Sequence, residues 1–202
     1  MFWDKVSGVY DLFENFYNKS VYQSTGEAVA KYIKDTDSVL ECACGTGAIS
    51  MYIAPVCNTL FASDYSIGML KQAQKKLKNF ENVEIKKVDI TNIKAKDSSF
   101  DVVVAGNVIH LLPEPQSAMK ELTRVCKAGG KLIIPTYING NEGINKLAVK
   151  ILGKFGASFK RQFDSGSYEK FFEEMGYKDV TYEVVRGRMP CDIAIVEVKK
   201  SL

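Results

Sequence analysis

The chain has 202 residues, 46% of them hydrophobic, and a formal net charge of +3. That content excludes a disordered chain, and the length suffices for one α/β domain with a sizeable core. The near-balanced charge argues against a dedicated nucleic-acid binder, and no run approaches the roughly 18 apolar residues of a membrane span.

The first residues, Met1-Phe2-Trp3-Asp4-Lys5, lack the charged and apolar regions of a signal peptide, so none is expected. Five cysteines are an odd count, which argues against a disulfide framework and for a reducing cytoplasm. Val6, Val9, Tyr10, Phe13, Phe16 and Tyr17 recur at spacings of three and four and predict an amphipathic helix. Val39-Leu40-Glu41 then predicts a strand. It passes through Cys42-Ala43-Cys44 into Gly45-Thr46-Gly47 and a helix start near Ser50. Glycine permits so tight a turn and lets a ligand approach the backbone, while the helix start offers free N–H groups. A dinucleotide fingerprint would place a third glycine where Ser50 stands.

A second strand over 59–64 ends in Asp64, an acceptor-only side chain suited to ribose hydroxyls. The third, over 83–89, ends in Asp89. The fourth, over 100–107, is almost wholly apolar and leads into Asn107-Val108-Ile109-His110. A helix around Glu121-Leu122 precedes a Gly129-Gly130 turn and a fifth strand over 131–134. Residues 141–155 predict a second amphipathic helix, with Ile144, Leu147, Ala148, Ile151, Leu152 and Phe155 opposite Lys146, Lys150 and Lys154. It is read as a lid or packing helix, with lipid contact through 144–155 as the alternative. A helix over 167–175 stops at Gly176, and alternating runs over 180–186 and 191–198 form a hairpin around Gly187-Arg188-Met189-Pro190.

Strand and helix patterns alternating from 38 to 135 predict a parallel sheet covered on both faces. Three acids at successive strand ends suggest one ligand in the crevice at the carboxyl edge. Glu41 four residues before Gly45-Thr46-Gly47, then Asp64, Asp89 and Asn107 in order, resemble the class I S-adenosylmethionine-dependent methyltransferases over residues 35–135. Ala43 stands where the family's first motif has a glycine. The resemblance implies a Rossmann-like, doubly wound, seven-stranded, mostly parallel sheet closed by an antiparallel C-terminal hairpin, with helices on both faces. It implies S-adenosylmethionine as cofactor and S-adenosylhomocysteine as product. Glu41 is expected at the methionine end, Gly45 and Gly47 in the floor, Asp64 at the ribose, Met69 on the adenine, and Asp89 with Ile90 at the adenine edge. Thr46, Tyr65, Asn107 and Tyr10 complete the expected cofactor set. Tyr10 belongs to a phrase, Val6-Ser7-Gly8-Val9-Tyr10-Asp11, that resembles the start of quinone-biosynthesis-type methyltransferases.

One domain is expected over 1–202. It comprises a helical cap (1–35), a cofactor-binding core (36–138), a lid insertion (139–165), and a last helix with the closing hairpin (166–202). The expected reaction is in-line methyl transfer to a small, partly hydrophobic acceptor, with no nucleic-acid partner and the acceptor and oligomeric state open. No catalytic residue is assigned. His110, the single histidine, is either a general base or a positional residue. Cys42 and Cys44 have no second pair at metal-ligand spacing and read as buried thiols, so no metal is expected. Two further readings stay open: a nicotinamide-dependent oxidoreductase, against which the closing hairpin argues, and a non-catalytic S-adenosylmethionine-binding protein.

Overall fold

A computed structural model describes residues 3, 4, 7, 8, 18–138 and 161–199. Its elements in chain order are α1 (Lys19–Ala30), β1 (Ser38–Cys42), α2 (Ser50–Ile53), β2 (Thr59–Asp64), α3 (Ile67–Leu77), β3 (Val83–Lys87), β4 (Phe100–Ala105), α4 (Pro115–Val125), β5 (Cys126–Tyr137), α5 (Ser165–Glu174), β6 (Thr181–Val185) and β7 (Cys191–Glu197). The strands form one seven-stranded sheet in the order β3-β2-β1-β4-β5-β7-β6. The first five strands run parallel, and β7 pairs antiparallel with both β5 and β6.

Successive strand residues point to opposite faces. Val39, Leu60, Val102 and Ile133 therefore pack on one side with Val29 of α1 and Leu77 of α3. Leu40, Val103, Leu132 and Ile134 pack on the other with Leu122 of α4 and Phe172 of α5. Helices on both faces explain why the central strands are apolar on both sides. The strand order reverses between β1 and β4, and a ligand crevice opens at the carboxyl ends beside such a reversal. No helix among the described residues is long and apolar enough to cross a membrane.

Several boundaries differ from expectation. The helix after the glycine turn is only Ser50–Ile53, followed by a 3-10 turn, Ala54–Val56, that contains Pro55. Pro55 has no N–H to continue the helical ladder. The fifth strand starts at Cys126 and runs through the Gly-Gly pair. Gly129, at φ +77°, donates to the Val198 carbonyl at 2.7 Å, and Val198 returns a bond to the Gly130 carbonyl at 2.8 Å. The last helix starts earlier, at Ser165, because Asp164 and Ser167 form a capping box. The expected helices over 6–17 and 141–155 lie outside the described residues, apart from Ser7 and Gly8.

At Gly130 the β4 and β5 backbones come too close for a side chain. A Cβ there would lie 2.6 Å from the Asp101 carbonyl oxygen and 2.9 Å from that of Lys127. Neither backbone atom yields easily, so Gly130→Ala is expected to cost about 1–3 kcal/mol in urea unfolding.

Candidate functional site

β1 ends at Glu41 and Cys42, and the chain then turns through Ala43 (φ +56°), Gly45 (φ +57°) and Gly47 (φ +85°). Three left-handed residues in five reverse the chain within a few ångströms. Glycine takes that conformation at no steric cost, whereas alanine is strained by its Cβ. The Cys44 N–H donates to the Ser63 carbonyl at 2.8 Å, which extends the β1–β2 pairing into the turn. The Asp64 carboxylate accepts the Gly45 N–H at 3.0 Å and the Ser66 N–H at 2.8 Å. Burial pushes its pKa up, and those amides oppose the shift.

Glu41 is buried, and its Oε2 accepts the Ser50 hydroxyl at 2.5 Å. Burial raises its pKa to about 8, with the Asp64 charge adding to the rise and Ser50 opposing it. Ser66 caps α3 by accepting the Met69 N–H. Asp4 reaches the same helix start, accepting the Ser66 hydroxyl at 2.7 Å and the Gly68 N–H at 2.9 Å. These donors, Gly68 first, hold the Asp4 carboxyl below its ordinary range. The N-terminal segment is thereby fastened beside the turn, and Trp3 lines the space in front of it.

Past β3, Asp89 accepts the Thr91 N–H and hydroxyl at 2.9 and 2.7 Å. The loop that follows is clamped from behind by α4. Arg124 grips Glu121 with two nitrogens and donates to the carbonyls of Ile93 and Ala95 and to Asp97, while Glu121 accepts the Ile93 N–H. At the end of β4, Asn107 is left-handed (φ +54°). It donates its N–H to Pro135 and accepts the Tyr137 N–H, so the β4 turn is tied to β5.

These ends enclose a cleft of about 380 Å³. Glu41, Gly45, Thr46, Asp64, Tyr65, Met69, Asp89, Ile90 and Asn107 all line it. Gly47 does not: a Cβ there would meet Leu77 at 3.3 Å and Ala73 at 3.5 Å, so it lets the turn pack on α3. Expectation put Gly47 in the floor because a Gly-x-Gly pattern does not tell which glycine faces the ligand. Tyr10 lies outside the described residues. Sequence reasoning missed Trp3, Tyr22, Ser66, Leu111 and Leu112, which also line the cleft. Only Ser66 carried a signal, as a helix-capping serine after an acid.

The lining holds three carboxylates and, among the described residues, no Lys, Arg or His. Its remaining walls are largely apolar. Such a cleft suits a ligand with hydroxyls, a flat ring and a positive charge. It is hostile to a pyrophosphate, which would meet Glu41 and Asp64 without a counter-charge. An adenosyl group bearing an ammonium and a sulfonium fits this donor set; a nicotinamide dinucleotide does not.

His110 sits in a 3-10 turn, Ile109–Leu111, buried and not among the lining residues. Burial lowers its pKa to about 4, which makes it a weak base. All five cysteines are free and buried. Desolvation pushes the Cys42 thiol up to about 12 and Cys44 well above its ordinary value, so both remain unreactive thiols. Among the described residues no group of three His, Cys, Asp or Glu is arranged to hold a metal.

A family model described as a methyltransferase domain matches residues 40–134. A demethylmenaquinone methyltransferase of Staphylococcus carnosus is 26% identical, over 90% of this chain and 86% of that protein. A phosphatidylethanolamine N-methyltransferase of Cereibacter sphaeroides is 32% identical, over 58% of this chain and 59% of that protein. Magnesium protoporphyrin IX methyltransferase from Synechocystis, solved with bound S-adenosylhomocysteine, superposes with a TM-score of 0.68 at 19% identity. That superposition covers 92% of this chain and 88% of the other and establishes the shared fold.

Two outcomes are expected from the turn. Ala43→Gly removes a left-handed alanine and should stabilise the protein by about 1 kcal/mol in chemical denaturation. Glu41 has a folded pKa near 8 against an ordinary 4.5, so its stability contribution is present below pH 4.5 and is lost as pH rises toward 8. Glu41→Gln should therefore raise the melting temperature of the ligand-free protein at pH 9 and leave it nearly unchanged at pH 5.

Proposed function

We propose that this chain, which belongs to the class I S-adenosylmethionine-dependent methyltransferases, transfers its methyl group to a small, partly apolar ring acceptor of the quinol type. The observation that carries the reading is the acid-lined, cation-free cleft at the carboxyl ends of β1, β2 and β4. The acceptor class is drawn from the demethylmenaquinone methyltransferase, which aligns along most of both chains. It is supported by the apolar and aromatic wall of Trp3, Tyr22, Val108, Leu111 and Leu112.

In this reading Glu41 meets the methionyl ammonium and Asp64 the ribose hydroxyls. Met69 packs on the adenine, with Tyr65 at its rim, while Asp89 accepts from its amino group and the Ile90 N–H meets the ring edge. Gly45, Thr46 and Asn107 bring backbone to the amino-acid part. The bound cofactor supplies an activated methyl group on a positively charged sulfur. The carboxylates grip the cofactor's ends and leave the reacting centre to apolar side chains. That arrangement excludes water and leaves the sulfonium charge free to disperse as the acceptor attacks in line. Orientation of this kind supplies about 7–11 kcal/mol of a barrier, so no dedicated acid or base is required for an acceptor that enters the cleft already ionised, its proton left in bulk solvent.

A reducing, cytoplasmic setting belongs to the same reading, supported by five buried cysteines without a disulfide. One domain over 1–202 is supported by a single sheet to which the chain contributes from Ser38 to Glu197. A lid or packing helix over 141–155, with lipid contact through 144–155 as its alternative, stays in the proposal from the sequence pattern alone, since those residues lie outside the described ones.

Calorimetry with S-adenosylhomocysteine tests the cofactor half. Asp64→Asn, which keeps one acceptor oxygen, should weaken binding at least tenfold, or about 1.4 kcal/mol. Labelled methyl transfer to a reduced naphthoquinol tests the acceptor half. Transfer to an ethanolamine lipid and not to the quinol would overturn the quinol assignment.

A further inference from the structure

Ser50 stands where a dinucleotide fold has its third glycine, and it is wholly buried at the start of α2. A helical serine usually turns its hydroxyl back to its own helix. Here the hydroxyl crosses to β1 and donates to Glu41 Oε2 at 2.5 Å. Glu41 is only 1% exposed and yet lines the cleft.

Among the described residues, no cation lines the cleft beside this carboxyl. β2 brings Ser63, whose hydroxyl donates to the Glu41 backbone carbonyl, and the like-charged Asp64. β4 places Val104 beside it, and the turn brings the thiols of Cys42 and Cys44. α3 brings Lys76 as far as the Thr46 hydroxyl on that turn, at 3.3 Å. The N-terminal segment brings Asp4, bonded to Ser66. A carboxylate so enclosed has one hydroxyl donor and no cation among the described cleft residues. It is stable either as the neutral acid or opposite a cationic ligand.

We propose that Ser50 is a positioning residue that aims the Glu41 carboxyl into the cleft, and that Glu41 gives up a proton when the cofactor's ammonium binds, so that cofactor affinity is set by pH. The inference rests on the cofactor reading above. The balance is simple: the neutral acid and the ammonium combine into a carboxylate–ammonium pair, and the acid's proton passes to the buffer. Burial, which raises the pKa of the empty site to about 8, puts the exchange in the physiological range.

The sign follows. Below pH 8 binding must expel the proton, so affinity should rise with pH by up to about tenfold per unit. It should level near pH 8, where the free cofactor's own α-amino group, ordinarily about 7.7–8.0, starts to lose its proton. Removing the Ser50 donor destabilises the carboxylate and should move the profile to higher pH.

The experiment is calorimetric titration with S-adenosylhomocysteine, which carries the same ammonium, from pH 6 to pH 9 in two buffers of different ionisation enthalpy. The wild-type protein should release close to one proton at pH 6.5 and almost none at pH 8. Glu41→Gln should bind with a pH-flat affinity over 6–7.5 and release no proton. Ser50→Ala should keep the slope with its midpoint displaced upward, and Ser50→Thr should restore it. Wild-type binding that is pH-flat and proton-free would overturn the proposal while leaving the cofactor reading intact. Equal weakening by Ser50→Ala at every pH would overturn the role given to Ser50. No binding at any pH by folded wild-type protein would overturn the cofactor reading itself.

Discussion

The Asp64 carboxylate accepts the amides of Gly45 and Ser66, and those two bonds tie together the pieces of chain that make the cleft. One belongs to the turn after β1, the other to the start of α3, and the acid itself closes β2. The same helix start is held from outside by Asp4 through Ser66 and Gly68. The turn cannot move without the helix, nor the helix without the N-terminal segment that brings Trp3 to the cleft. Glu41 depends on this frame, because its neighbour Asp64 and its partner Ser50 are both placed by it.

Burial decides what these acids do. Exposed, three carboxylates would be an ordinary anionic patch screened by salt. Withdrawn from water with no cation among the described residues of the cleft, Glu41 and Asp64 are raised in pKa and favour a positively charged ligand. That preference separates a sulfonium- and ammonium-bearing adenosyl ligand from a dinucleotide more sharply than the glycine pattern does. The glycine turn and an acid for the ribose are common to both kinds of protein, whereas a second buried acid at the turn itself, Glu41, has no use against a pyrophosphate.

Most of the sheet was legible because strand burial writes itself as apolar alternation or apolar runs. Val39-Leu40, Val102 through Ala105 and Ile193 through Val196 announce their faces directly. The acids at the strand ends were legible for a related reason: a charge closing an apolar run must reach solvent or a ligand. Boundaries were less so. Gly129 and Gly130 look like a turn but lie within β5: Gly129 takes the left-handed φ of +77° at which it pairs with Val198, and Gly130 leaves room for the close approach of Asp101. Gly47 was misplaced for the converse reason, its glycine serving α3 packing. Asp4 and Trp3 were invisible as site neighbours, since contacts across more than sixty residues leave no local pattern. Ser50 was noticed only as a missing glycine. Its bond to Glu41 depends on a helix start folding back over the strand it follows.

Arg124 does not line the cleft, yet it holds the loop behind Asp89 by the Ile93 and Ala95 carbonyls and by Asp97, and is itself held by Glu121 on the same helix. The Asp89 side of the cleft is thus braced by α4 through Arg124 and Glu121. None of the residues in that brace belongs to the first 35 residues or to 139–160. A chimaera that exchanges the N-terminal segment and residues 139–160 for those of a relative would therefore inherit this brace untouched. What such an exchange would have to rebuild is the Asp4 contact to Ser66 and Gly68, so the two halves of the cleft differ in how much of their support is carried by distant sequence.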